Sequence, residues 1–168
     1  MRICKQKMLF YRVLSIVLLV ALLQMLLVSC QDDVDCYRLA ESFRDECGTG
    51  GVIYSPRIPE GNEGYVADDF FILMYSEENT HAADFAVLIS QRGDIPREAA
   101  FFLCHSEYDA LSVELMLKSR LALIAELFGA GNGSPANGGF VLRSGRVVAM
   151  CATDDNGEAR GIVKMLIG

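Results

Sequence analysis

The chain has 168 residues, 52% of them hydrophobic, with 15 basic and 22 acidic side chains and a net charge of −7. That length suits one domain with a core of its own. The acidic balance excludes the electrostatics of a nucleic-acid binder, which needs a basic surface to neutralise phosphates.

The basic residues are unevenly placed. Arg2, Lys5, Lys7 and Arg12 open the chain with no acidic residue among them, and Val13 to Val28 is then apolar apart from Ser15 and Gln24. A spanning helix needs about 20 apolar residues, and this run is shorter. It ends in Leu27-Val28-Ser29-Cys30, after which Gln31-Asp32-Asp33 turns abruptly polar. A basic start, an apolar run and a small residue before a cut site are the grammar of an export signal. A cysteine directly after the cut adds a thiol that takes a diacylglyceryl group. The stretch therefore reads as a lipobox: Leu27, Val28 and Ser29 precede the cut, and Cys30 is the lipidated first residue of the mature protein. An uncleaved anchor helix, the alternative, faces the same compartment. Each buried acyl methylene contributes about 0.8 kcal/mol, so two or three chains hold firmly where one does not. The expected address is the extracytoplasmic face of the cell membrane, reached through the N-terminal lipid. Without its leader the chain keeps 11 basic and 22 acidic residues, a net charge of −11.

The expected organisation is a signal peptide over 1–29, a tether with a short N-terminal helix over 30–64, and a compact domain over 65–168. Val34, Leu39, Ala40 and Phe43 recur at helical spacing within 31–47, and Gly48-Thr49-Gly50-Gly51 stops that helix. Residues 52–64, with Pro56, Pro59, Gly61, Asn62 and Gly64, read as an irregular connection, and this first third as the least ordered part. Asp68 and Asp69 open a short helix carrying Phe70, Phe71, Leu73 and Met74. Phe85, Val87 and Ile89 alternate with Ala86, Leu88 and Ser90 as a strand; 91–96 is a turn; Glu98 to Cys104 returns as an apolar second strand. Ser106 caps a long helix reaching Phe128, with a core stripe of Ala110, Val113, Leu117, Leu121, Ile124 and Phe128. A Gly-rich loop follows, then a hairpin of Phe140–Arg143 and Arg146–Cys151 around Ser144-Gly145, then a last helix with Ala159, Ile162, Val163 and Leu166. The predicted fold class is α+β: two antiparallel hairpins form one sheet, packed on one face by the long central helix and the C-terminal helix.

From about Tyr65 onward, roughly two thirds of the chain, the run of elements resembles an uncharacterised family of small Gram-positive lipoproteins, a domain of unknown function numbered four-three-five-eight. The resemblance rests on the lipobox, on Asp84-Phe85-Ala86-Val87-Leu88-Ile89-Ser90, on Ile95 to Cys104 leading into Ser106-Glu107-Tyr108-Asp109-Ala110, and on Val141 to Val148. The chain departs from it in the Gly/Asn loop 129–139 and in its extra cysteines. The resemblance implies address and fold; the family brings no catalytic residue.

No constellation names a reaction. Cys4 leaves with the leader and Cys30 is lipidated, leaving Cys36, Cys47, Cys104 and Cys151. No CxxC signals a redox motif or a zinc knuckle. Cys36 and Cys47 are separated by about 16 Å of rise in one helix, too far for a bridge that needs α-carbons within roughly 7 Å. Cys104 and Cys151 both end strands, where they can face each other in a compartment that permits disulfides; small buried thiols are the plainer reading. His81 and His105 are the only histidines, and neither accompanies a GxSxG nucleophile motif. Cys104 and His105, as strand neighbours, point to opposite faces. A hydrolase around His105 requires a serine or carboxylate within reach of its ring. Asp154-Asp155-Asn156-Gly157-Glu158 fails the calcium-loop frame and reads as a turn with a helix cap. Gly129-Ala130-Gly131-Asn132-Gly133 follows a helix and lacks the phosphate-loop lysine, and Arg92-Gly93-Asp94 is ordinary turn chemistry. No metal and no cofactor is expected. The expectation is a non-catalytic interaction or ligand-binding module, meeting an envelope protein or a small ligand through an open sheet face or the helix at 68–76. The alternative is a thiol–disulfide protein or sensor using Cys104 and Cys151.

Overall fold

The computed structural model describes residues 34–76, 78–92, 95–129, 134–135 and 137–168, without the side chains of 91, 92 and 95. The leader, the lipobox with Cys30, Gly93 and Asp94, and residues 130–133 and 136 of the Gly-rich loop lie outside the described residues.

Helix α1 (Cys36–Glu46) starts where the Asp35 side chain accepts the Arg38 N–H at 3.1 Å. Strand β1 (Val52–Tyr54) follows, then α2 (Phe70–Tyr75), the hairpin β2 (Ala82–Arg92) and β3 (Ile95–Cys104), the long helix α3 (Glu107–Phe128), the hairpin β4 (Phe140–Ser144) and β5 (Val147–Ala152), and α4 (Asn156–Ile167). The five strands form one antiparallel sheet in the order β1-β2-β3-β5-β4. The class is α+β, with both expected hairpins and the long helix in place. Ser106 caps α3 by accepting the Asp109 N–H at 3.1 Å.

Two features depart from expectation. First, the helices cover both faces of the sheet. Phe85, Val87, Ala100, Phe102, Val148 and Met150 face α2 and α3, and meet Phe71, Tyr75, Val113, Leu117 and Ile124. Their strand neighbours Ala86, Leu88, Ala99, Phe101, Ala149 and Cys151 face α1 and α4, and meet Ala40, Phe43, Ala159 and Val163. The C-terminal helix therefore lies opposite the long helix, and no open sheet face remains for a partner. The physical reason is legible in β5, where all six residues are buried: a strand covered on both sides carries a continuous apolar run instead of an alternating one.

Second, the compact unit begins at Asp35, not at Tyr65. β1 pairs with β2 in the register Val52↔Ile89, Ile53↔Leu88, Tyr54↔Val87. The Asp84 carboxylate accepts the Cys36 N–H at 3.1 Å and receives Arg57 Nη2 at 2.9 Å, while Arg57 Nη1 reaches Asp35 at 2.9 Å. One carboxylate beside the β2 bulge thus ties down both the start of α1 and the loop after β1. Short polar anchors of this kind join the apolar stripe of α1, Cys36, Ala40 and Phe43, in ordering the segment 35–64.

Candidate functional site

Cys104 belongs to the apolar layer under α3, Cys151 to the layer under α4. Leu103 pairs with Val147, whereas Cys151 pairs with Ala99, so the two thiols also sit at opposite ends of the β3–β5 ladder. They do not meet, and the proximity expected from two strand ends does not occur. An antiparallel neighbour places the C-terminal end of one strand beside the start of the next, and both cysteines are near C-terminal ends. All four thiols in the described residues are free. Burial pushes Cys104 up to about 11 and Cys151 up to about 12, and raises Cys36 as well. Burial, then Glu158, pushes Cys47 up to about 11. A thiol held protonated is a poor nucleophile at neutral pH.

His81 Nδ1 lies 2.8 Å from Asp109 Oδ1, and the Ser106 hydroxyl donates to Asp109 Oδ2 at 2.5 Å. Serine, aspartate and histidine are gathered here, but the carboxylate stands between the other two. A hydrolytic triad needs the imidazole next to the hydroxyl, so this chain of bonds fastens the turn before β2 to the start of α3. The His105 ring is exposed and makes no hydrogen bond to a serine or carboxylate among the described residues; it acts on Asp109 through charge alone. Among the described residues, no group of three or more His, Cys, Asp and Glu side chains is placed to hold a metal ion. Asp155 caps α4 by accepting the Gly157 and Glu158 N–H groups at 3.1 and 2.9 Å, and Asn156 bonds the Thr153 N–H and the Pro135 and Asn137 carbonyls. The acidic stretch is a cap and a tie.

Two hollows open on the surface. A cleft of about 410 Å³ lies where β2, β3 and β5 meet the start of α4, lined by Cys47, Thr49, Ser90, Arg97, Asp154 and Glu158. Arg97 spans it in a two-pronged ion pair with Asp154, at 2.6 and 2.7 Å. The second hollow, about 380 Å³, lies beside α2. Val66, Phe71, Ile72 and Phe85 form its apolar wall, and Asp68, Glu78 and Asn79 its polar rim. Phe71 stands edge-on to Phe85 with ring centroids 4.8 Å apart, which fixes the floor. Ile72 of that wall and its chain neighbour Leu73 are 51% and 74% exposed. α2 presents them because Phe71 and Tyr75, four apart, take the inward positions.

Sequence reasoning missed one polar cluster entirely. Glu98 lies in the apolar layer between α2 and α3, accepting Arg120 Nη2 at 2.7 Å, Arg120 Nε at 3.0 Å and the Tyr75 hydroxyl at 3.4 Å. Burial raises the Glu98 carboxyl, and the Arg120 guanidinium opposes that rise. The available signal was phase: Glu98 shares the inward face of β3 with Ala100 and Phe102.

No family model matches the chain, and no curated protein or solved structure matches it either. No helix among the described residues is long and apolar enough to cross a membrane.

Proposed function

We propose that this chain is a lipid-anchored protein of the extracytoplasmic membrane face, attached at Cys30, whose domain is a non-catalytic binding module working through α2 and the hollow beside it. Membership of the lipoprotein family that the sequence resembles is part of the same proposal. The observation that supports the binding role is the pair Ile72 and Leu73, exposed next to an apolar-walled, acid-rimmed hollow. Large apolar side chains displayed beside a hollow are the usual makings of a contact surface. The thiols support the redox alternative poorly: they are buried, separated and held protonated.

Two measurements test the reading. Mass spectrometry of the native product should find an acylated Cys30 at the N-terminus; an intact leader or a bare thiol there removes the anchor. A photoreactive amino acid at position 73, in intact membranes, should give one defined adduct that the same probe at position 164 does not give. An identical diffuse pattern at both positions removes the binding surface.

A further inference from the structure

We infer that the outer face of α3 is a self-association surface, on which a second copy of this chain packs its own α3 in antiparallel orientation. A helix on the outside of a domain normally carries one apolar stripe and an opposite polar face. α3 does not. Its inward side is apolar, with Ala110, Val113, Leu117 and Ile124 buried. Its outward side carries apolar side chains too: Tyr108, Leu111, Leu115 and Leu123 are 77%, 47%, 65% and 40% exposed. Large apolar side chains gathered on an outer face mark a contact surface.

The occupant follows from area and charge. At roughly 150–200 Å² per large apolar residue, these four side chains leave about 400 Å² uncovered, a patch of the size that is often functional on a monomer. Two such faces pressed together bury about 800 Å², under the roughly 1,000 Å² of a stable specific interface, so the dimer is weak and transient. The acidic chain would ordinarily repel a copy of itself, but Glu126 is the only acid on the middle of this face. Glu114, on the flank, is already held between Lys118 Nζ at 2.6 Å and Arg143 Nε at 3.0 Å.

The pattern is self-complementary. Tyr108 and Glu126 are five turns apart on one line of the helix, about 27 Å along its axis. With the two-fold axis midway between them, the Tyr108 hydroxyl reaches the carboxylate of Glu126 of the partner subunit. Leu115 then meets Ser119 of the partner subunit, and Leu111 meets Ala122 of the partner subunit. Large faces small at each step, which lets two helices close to contact distance. Ser119 turns its own hydroxyl back onto the Leu115 carbonyl at 3.1 Å, so it brings no unmet polar group to the seam. A two-fold contact of one patch with itself is the commonest way a soluble chain pairs.

The test uses the full chain in intact membranes. Ser119→Cys lies beside the proposed axis, and a short bismaleimide should give a double-mass adduct several-fold above the unsubstituted chain. Lys164→Cys, on α4 across the sheet, should stay at that baseline. Adding Leu115→Arg to Ser119→Cys should return the adduct to baseline, as should adding Ala122→Glu. Both substitutions are at exposed positions, and an unchanged melting temperature confirms that the fold persists. Equal adducts from positions 119 and 164, persistence of the adduct in both charged variants, or cross-linking only to a chain of different mass would overturn the inference. So would a lipid-like environment reported by a fluorophore at position 119 with no double-mass species, since the face would then lie on the bilayer.

Discussion

Glu98 and Arg120 form an ion pair inside an apolar layer: Nη2 and Oε2 are 2.7 Å apart, and the carboxylate side chain is 1% exposed. The pair joins β3 to α3, and Tyr75 adds α2 to the same carboxylate. Removing either charge leaves the other buried and unmatched. Glu98→Ala and Arg120→Ala should each cost about 3–5 kcal/mol, whereas the double variant Glu98→Leu/Arg120→Met should recover most of that loss. Urea unfolding of the four proteins checks this, and additive losses would show that the two groups are not coupled. Tyr75→Phe should cost only about 1 kcal/mol.

The thiols give a labelling pattern and an alkaline limb. Cys47 is half-buried, while Cys36, Cys104 and Cys151 are buried. A maleimide should reach Cys47 first and the other three only as the chain unfolds, read by mass mapping. Cys104 and Cys151 ionise near 11 and 12 in the folded chain against an ordinary 9.0. Between those values the unfolded chain has lost its protons and the folded chain has kept them. Their contribution is therefore present below about pH 9 and lost as pH rises toward 11–12. Melting temperatures should fall across that window, and fall less for a Cys104→Ala/Cys151→Ala variant compared with its own value at pH 8.

The acid side runs the other way. The Ser106 hydroxyl, then His81, lowers Asp109; Lys118, then Arg143, lowers Glu114. Carboxylates held below their ordinary range stabilise the fold above that range and lose this as pH falls through their folded values. Glu98, raised by burial, opposes the trend, because its folded form keeps its proton longer as pH rises. An Asp109→Asn/Glu114→Gln variant should show a flatter loss of stability below about pH 4. A limb as steep as in the parent chain would assign the acid sensitivity elsewhere.

Gly64 is a backbone requirement. Its φ is +89°, and a Cβ there would stand 2.1 Å from the Ile53 carbonyl oxygen, within the segment that closes β1. Gly61, at φ +84°, faces open space. Gly64→Ala should lose at least about 2 kcal/mol and loosen α1 and β1, while Gly61→Ala should lose about 1 kcal/mol from backbone strain alone. Hydrogen exchange at Ile53 and Tyr54 separates the two: equal protection in both variants would mean that the close approach does not matter.

Most of the fold was legible because it is written in periods. The inward stripe of α3, the Ser106 cap and both hairpins follow from apolar spacing and turn residues. β1 was not, since three residues between glycines and prolines carry no period; its order comes from pairing with β2, and Asp84, Arg57 and Asp35, brought together across the chain, hold the loop that follows it. The second covered face was present as a signal in the unbroken run Val147 to Ala152, but such a run does not say which helix supplies the cover. Glu98 was hidden because its partner, Arg120, lies on another element. Of the candidate site, α2 and its flanking acids could be read directly; the hollow beside it needs Phe85, a neighbour by folding alone.

The pairing of α1 with α4 on one side of the sheet ties the earliest part of the domain to the latest. Until α4 docks, Phe43 and Phe101 have no Val163 to lie against, and that side of the folding chain stays greasy and open to chaperones and proteases. Closure is therefore abrupt: a chain truncated ahead of Val163 would keep every strand and lack the seal over Phe43 and Phe101.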